Sequence, residues 1–125
     1  PFRVVGEQID GSFELDHETY LLEAKWEKGP LPAEPLYTFR TKIEGKSLQT
    51  RGVLISISGI SKQAEEAITR GKVARFFVVN GKDLQAVLNE EIELSAFLRQ
   101  RRRLVAEEGQ VVVPYENLRT GTRDH

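Results

Sequence analysis

Cysteine and methionine are both missing from the 125 residues. Without thiols there is no disulfide framework, no thiolate zinc site and no cysteine nucleophile, and a cytoplasmic setting is the expectation. A chain that starts at Pro1 and has no methionine is expected to be a segment of a longer protein with further domains. No apolar run approaches the roughly 18 residues of a membrane helix, and no charged-then-apolar leader opens the chain, so no membrane partner is expected. Internal repeats are lacking, and the glycine-containing turns lack phosphate-loop spacing, which argues against nucleotide binding. Charge of one sign is lacking too. With 18 basic and 19 acidic side chains the net charge is −1, unlike the basic excess of a stand-alone nucleic-acid-binding domain.

The distribution of charge is less even than its sum. Residues 1–50 carry 6 basic and 9 acidic side chains, whereas residues 51–103 carry 10 and 6. A chain of this length suits one domain able to bury about two-thirds of its extended surface. We expect that domain over residues 1–118 and a polar tail over 119–125.

Period-two alternation predicts a strand over Ile9–Leu15, with Asp10, Ser12 and Glu14 on one face. "LDHET" reads as a hairpin turn. The return strand, Thr19–Trp26, sets Tyr20, Leu22 and Ala24 on one face and Leu21, Glu23 and Lys25 on the other. "EKGPLPAEP" breaks it, after which Leu36, Phe39 and Ile43 recur at helical spacing up to Gly45. "GVLISISG" (52–59) and "VARFFVVNG" (73–81) are nearly continuous apolar runs, the pattern of strands covered on both faces. Ser61 reads as the N-cap of a helix ending at Gly71, and Asp83 as the start of another, "DLQAVL". A last helix over Leu94–Ala106 aligns Leu94, Phe97, Leu98 and Val105, with Arg99, Arg102 and Arg103 on another stripe. "VVVPY" (111–115) reads as a short edge strand. The fold class that follows is α/β, with helices on both sides of a mixed sheet.

Folding the hairpin about its turn brings Asp10 onto the same face as Glu23 and Lys25. Two carboxylates, with the Ala24 backbone carbonyl, are hard oxygen ligands of the kind Mg²⁺ or Mn²⁺ prefers. Lys25 supplies a compact positive charge able to hold an attacking water or to stabilise the charge of a phosphoryl transition state. The plainer alternative is an ion pair between neighbouring side chains on a solvated sheet face.

Asp10, then twelve residues, then Glu23-Ala24-Lys25, resembles the PD-(D/E)XK nuclease motif. Continued by "TRGVLISISGIS" and "FFVVNGKDLQAVL", the stretch from Ile9 to Leu88 resembles the Mrr-type restriction endonuclease family. That resemblance implies a restriction-endonuclease-like three-layer sandwich and Mg²⁺-dependent hydrolysis of DNA phosphodiesters. It implies Asp10 and Glu23, with Ala24, as metal ligands, and Lys25 as the catalytic lysine. The chain departs from the family at Ile9, where a proline often stands, and no helix fits between Pro1 and the first strand. A module that keeps the fold for nucleic-acid binding or dimerisation, without chemistry, is the rival expectation. Cutting both strands of a duplex needs two sites, so a homodimer is expected.

Other polar residues are weighed against surface roles. Glu7 and Gln8 lie near the site but are assigned nothing. "RQRRR" (99–103), and separately Arg40, Lys42, Lys46 and Arg51, are candidates for contact with a nucleic-acid backbone, or simply solvated faces. His17 and His125 lack the partners of a general base. Trp26 reads as an aromatic anchor.

Overall fold

The structure, a computed structural model, describes residues 3–4, 7–8, 10–70 and 74–112. Two short strands, β1 (Arg3–Val4) and β2 (Glu7–Gln8), pair with each other antiparallel ahead of the main sheet. The alternation in the sequence did not signal them. The central sheet consists of β3 (Gly11–Leu15), β4 (Glu18–Lys25), β5 (Thr50–Ser56) and β6 (Phe76–Val79), neighbours in that order. The β3–β4 pair is antiparallel, and β4, β5 and β6 run parallel, so the sheet is mixed.

The hairpin closes as the sequence predicts. Leu15 pairs with Glu18, which leaves Asp16 and His17 as a two-residue turn with φ of 54° and 69°. Positive φ at both central positions gives the type I′ twist that matches the right-handed twist of the arms. All four residues of β6 are buried, as continuous apolar strands covered on both faces should be.

Helix α1 (Ala33–Glu44) buries Leu36, Phe39 and Ile43 and stops at Gly45. It lies on the face of the sheet that carries Gly52. A Cβ added there would stand 2.6 Å from Phe39 Cε2 and 2.8 Å from Ile43 Cδ1, so the missing side chain is what lets α1 settle onto β5. Phe39 also meets Phe76 edge-on, with centroids 5.3 Å apart. Helix α2 (Lys62–Thr69) packs beside α1 and opens on the predicted cap, Ser61, whose hydroxyl accepts from Ala64 N–H at 3.0 Å. Helices α3 (Gly81–Leu88) and α4 (Leu94–Glu108) follow β6, and α4 packs on it. On that side Phe13 stacks on Tyr20, which tilts against Phe77. The result is an α/β sandwich of the restriction-endonuclease-like kind.

Several boundaries and faces differ from expectation. α3 begins at Gly81, not at Asp83: Asn80 is the cap, and Asp83 is the third helical residue, closing a reciprocal capping box with it. Leu94 is half exposed, whereas Arg101 is buried in the α4 stripe. α4 runs two residues past Ala106 to Glu108, with Gly109 in the left-handed conformation beyond it. Trp26 follows the end of β4 and is 69% exposed, so it anchors nothing in the core. Val111 accepts from Val78 N–H at 2.8 Å along the β6 edge. Neither Val111 nor Val112 is in a strand, and residues 113–115 of the expected edge strand, Ile9, the Gly71 stop and the 119–125 tail lie outside the described residues. Among the described residues no helix is long and apolar enough to cross a membrane.

Charge ties the hairpin end of the sheet to α4. Glu18 receives Arg102 at 2.7 and 3.0 Å and Arg51 at 2.8 Å, and these arginines hold its carboxyl down to about 2 from an ordinary 4.5. A depressed folded value means that stability is present above pH 4.5 and is lost as pH falls toward 2. Urea midpoints measured across that window should therefore fall for the natural chain and stay flatter for Glu18→Gln. Parallel pH profiles would remove Glu18 from the acid response.

Candidate active site

β4, β5 and β6 all end at the same edge of the sheet, the edge at which β3 begins. In open α/β sheets this edge, beyond the carboxyl ends of parallel strands, is where ligand sites collect. Here its floor is stitched together by loops. Leu31 N–H donates to Gly59 carbonyl at 3.0 Å, Ser61 N–H returns to Leu31 carbonyl at 2.9 Å, and Ser58 Oγ donates to Lys28 carbonyl at 2.7 Å. Ser56, in register with Lys25, donates its hydroxyl to the Gly59 carbonyl at 2.6 Å.

Glu23 stands near the end of β4, in register with Leu54 of β5, and is only 3% exposed. A carboxylate that deep requires compensating charge and hydrogen bonds. It has both. Lys25 Nζ lies 3.1 Å from Oε2, as the period-two spacing predicts, and Lys42 Nζ lies 2.9 Å from Oε1. The two lysines come from different elements, β4 and α1, and reach opposite oxygens of one group.

Asp10 lies just before β3, across the hairpin. Its N–H donates to Leu22 carbonyl at 2.9 Å, and its Oδ2 accepts from Ala24 N–H at 2.8 Å. The carboxylate is therefore fastened to the residue between Glu23 and Lys25. A strand residue turns its N–H and C=O to the same neighbour, so the Ala24 carbonyl also faces the Asp10 edge. Among the described residues no group of three or more His, Cys, Asp or Glu is placed to hold a metal ion. An ion held here would rest on two carboxylates and a backbone carbonyl, the hard-oxygen set that suits Mg²⁺ or Mn²⁺.

The basic candidates divide. Lys42, expected close to the site as a candidate nucleic-acid backbone contact, meets Glu23 directly. Helical spacing had shown only that it adjoins the buried Ile43; which strand residue it would meet depends on how closely α1 approaches at Gly52. Arg40 instead lies over the Tyr37 ring, 5.2 Å from its centroid, and pairs with Glu44. The run at 99–103 is not one solvated face. Arg99 holds Asp16, Arg102 holds Glu18, and Arg101 is buried on Asp83. The Arg99 and Arg102 contacts lie at the hairpin turn, where Glu18 is seven residues from Lys25, about 23 Å along a strand, whereas Asp83 opens α3 just beyond the end of β6.

A mixed sheet thus lies between two helical layers, with Asp10, Glu23 and Lys25 gathered near the open end of its hairpin. A family model described as restriction endonuclease, of the Mrr catalytic type, matches residues 3–88, more than half of the chain, and the protein belongs to that family. No curated protein and no solved structure matches it. Its class is therefore that of nucleases of the restriction-endonuclease type.

Proposed function

We propose that the chain is a Mg²⁺- or Mn²⁺-dependent endonuclease that hydrolyses DNA phosphodiester bonds, with Asp10, Glu23 and the Ala24 carbonyl as metal ligands and Lys25 as the catalytic lysine. The observation that carries this reading is the fastening of Asp10 to Ala24, between Glu23 and Lys25, within a chain of the restriction endonuclease family. When bound, a divalent ion supplies Lewis acidity to a phosphoryl oxygen and makes a hydroxide available near neutral pH.

The protein's own groups do the rest. Ala24 N–H keeps the Asp10 carboxylate from rotating away, which lowers the reorganisation needed before reaction. Glu23, sunk beneath the surface, orients from below. Lys25, with its side chain 30% exposed, reaches from Glu23 toward solvent, where it hydrogen-bonds the attacking water or the equatorial oxygens of the phosphoryl group. No side chain becomes covalently attached. Cleavage of both strands calls for two copies or two encounters, and we assign a homodimer to duplex cutting.

Plasmid nicking with Mg²⁺ or Mn²⁺, set beside a calorimetric Mn²⁺ titration, tests the assignment. The natural chain should nick and take up one ion per site, and Asp10→Asn should lose both. DNA binding without metal uptake or nicking would leave a fold kept for binding alone.

A further inference from the structure

The chain's single tryptophan stands directly after Lys25, and it is 69% exposed. Among the described residues its ring stacks on no other aromatic and lies beneath no cation. A lone apolar side chain on a surface asks for no explanation, but this one has a neighbour and a place. Lys25 pairs in register with Ser56, so Trp26 and Ile57 leave two adjacent parallel strands at the same level, and Ile57 is itself 38% exposed. The backbone there is fixed on both sides of the ring. β4 is held in its ladder up to Lys25, and Ser58 Oγ lies 3.2 Å from the Glu27 carbonyl and donates to the Lys28 carbonyl at 2.7 Å.

We propose that Trp26 is a stacking platform for the nucleobase beside the scissile phosphate, so that the site favours DNA in which that base is unpaired, as in a single strand, a gap or a flap, over an intact duplex. This deepens the nuclease reading above and rests on it.

Inside a duplex both faces of a base are covered by its neighbours, so a side chain reaches a base face only where the stack is open. An indole at that opening replaces the lost stacking partner, and it does so for any base, because each has a π-face. The scale agrees. Successive Cα atoms are about 3.8 Å apart and DNA advances about 3.4 Å per nucleotide along one strand, so with Lys25 at a phosphate Trp26 falls within about one nucleotide of it. An indole has only two side-chain torsions, and the backbone that carries this one is already fastened, so little freedom is lost on stacking. Trp26 brings no charge. Its share of the affinity should therefore resist salt, unlike that of a phosphate contact.

A single tryptophan reports on itself. Its emission should be quenched by a short single-stranded oligonucleotide, in EDTA at low salt and again with Mg²⁺, at concentrations about tenfold below those needed of the blunt duplex of the same sequence. Binding of a dye-labelled single strand, followed by anisotropy, should weaken about 5- to 100-fold in Trp26→Ala with its salt slope unchanged, because no phosphate contact is removed. Trp26→Phe, which keeps a ring, should recover most of the loss. Duplex affinity and Mn²⁺ uptake should stay within about twofold of the natural chain in both variants. Thermal melting confirms that each variant is folded, and Trp26→Gln replaces Trp26→Ala if it is not.

Nicking without quenching overturns the platform while leaving the nuclease reading in place. Equal quenching by single strand and duplex overturns it as well, since the base would not then need to be unpaired. Emission that shifts with protein concentration alone puts a second copy of the chain on Trp26 and also overturns the proposal. Quenching without metal uptake or nicking removes the nuclease reading, and with it the scissile phosphate, so both fall together.

Discussion

Glu23→Gln is expected to abolish metal-dependent plasmid nicking, and Lys25→Ala to slow it by a factor on the order of 10² to 10³. The two losses should differ in kind. Glutamine at position 23 keeps the shape of the side chain but withdraws the charge that faces Lys25 and Lys42, so the ion is lost with the activity. Alanine at position 25 leaves both carboxylates and the Ala24 amide in place. Mn²⁺ uptake should survive there while the rate collapses, because only a group aimed at charge that develops during reaction is gone. Calorimetry and nicking on the same preparations separate the cases. Nicking by both variants at the rate of the natural chain would strip the pair of any chemical role and return it to a buried ion cluster.

The largest effect on stability should come from an ion pair beside β6, two strands from Glu23 and level with it in the sheet register. Asp83→Ala is expected to cost about 3–5 kcal/mol, measured as a drop in the urea midpoint, a large share of the total of an ordinary domain. Asp83 and Arg101 are each 1% exposed and meet at 2.7 Å, Oδ2 to Nη2. Arg101 also donates to the Val78 carbonyl at 3.1 Å and lies 4.9 Å over the Phe97 ring. Removing the carboxylate leaves a guanidinium in the core without its counter-charge and opens the reciprocal cap with Asn80 at the same stroke. Burial already pushes the Arg101 pKa below its usual value, with Asp83 opposing that shift. Asp83→Ala combined with Arg101→Met should recover much of the loss, since replacing both members by apolar groups removes the desolvation cost. A single variant that unfolds within about 1 kcal/mol of the natural chain would show the pair to be dispensable.

These two sites also mark how far the sequence could be read. Alternation placed Glu23 beside Lys25, and the turn at "LDHET" brought Asp10 back across from them; both depend on spacing within one hairpin. Leu36, Phe39 and Ile43 announced the buried side of α1 for the same local reason. Lys42 on Glu23 is different. The contact spans 19 residues and is set by how closely a helix settles on a sheet, which no periodicity records. Arg101 was hidden by its neighbours: in a run of arginines nothing local tells the one facing Asp83 from those facing Asp16 and Glu18, 83 and 84 residues away. Asp83 looked like a cap because aspartate often is one. Asn80 held that place, three residues earlier, with Asp83 answering it from inside the helix.

The bare backbone at Gly52 reaches further than packing. It fixes the height at which one helix rides above the sheet, and that height decides whether an amine carried on the helix can touch an acid on the neighbouring strand. A methyl group there would act as a shim, lifting charge off the acid from a position that touches neither ion nor substrate. Steric fit and local electrostatics in this protein are thus adjusted by a single hinge-pin of empty space.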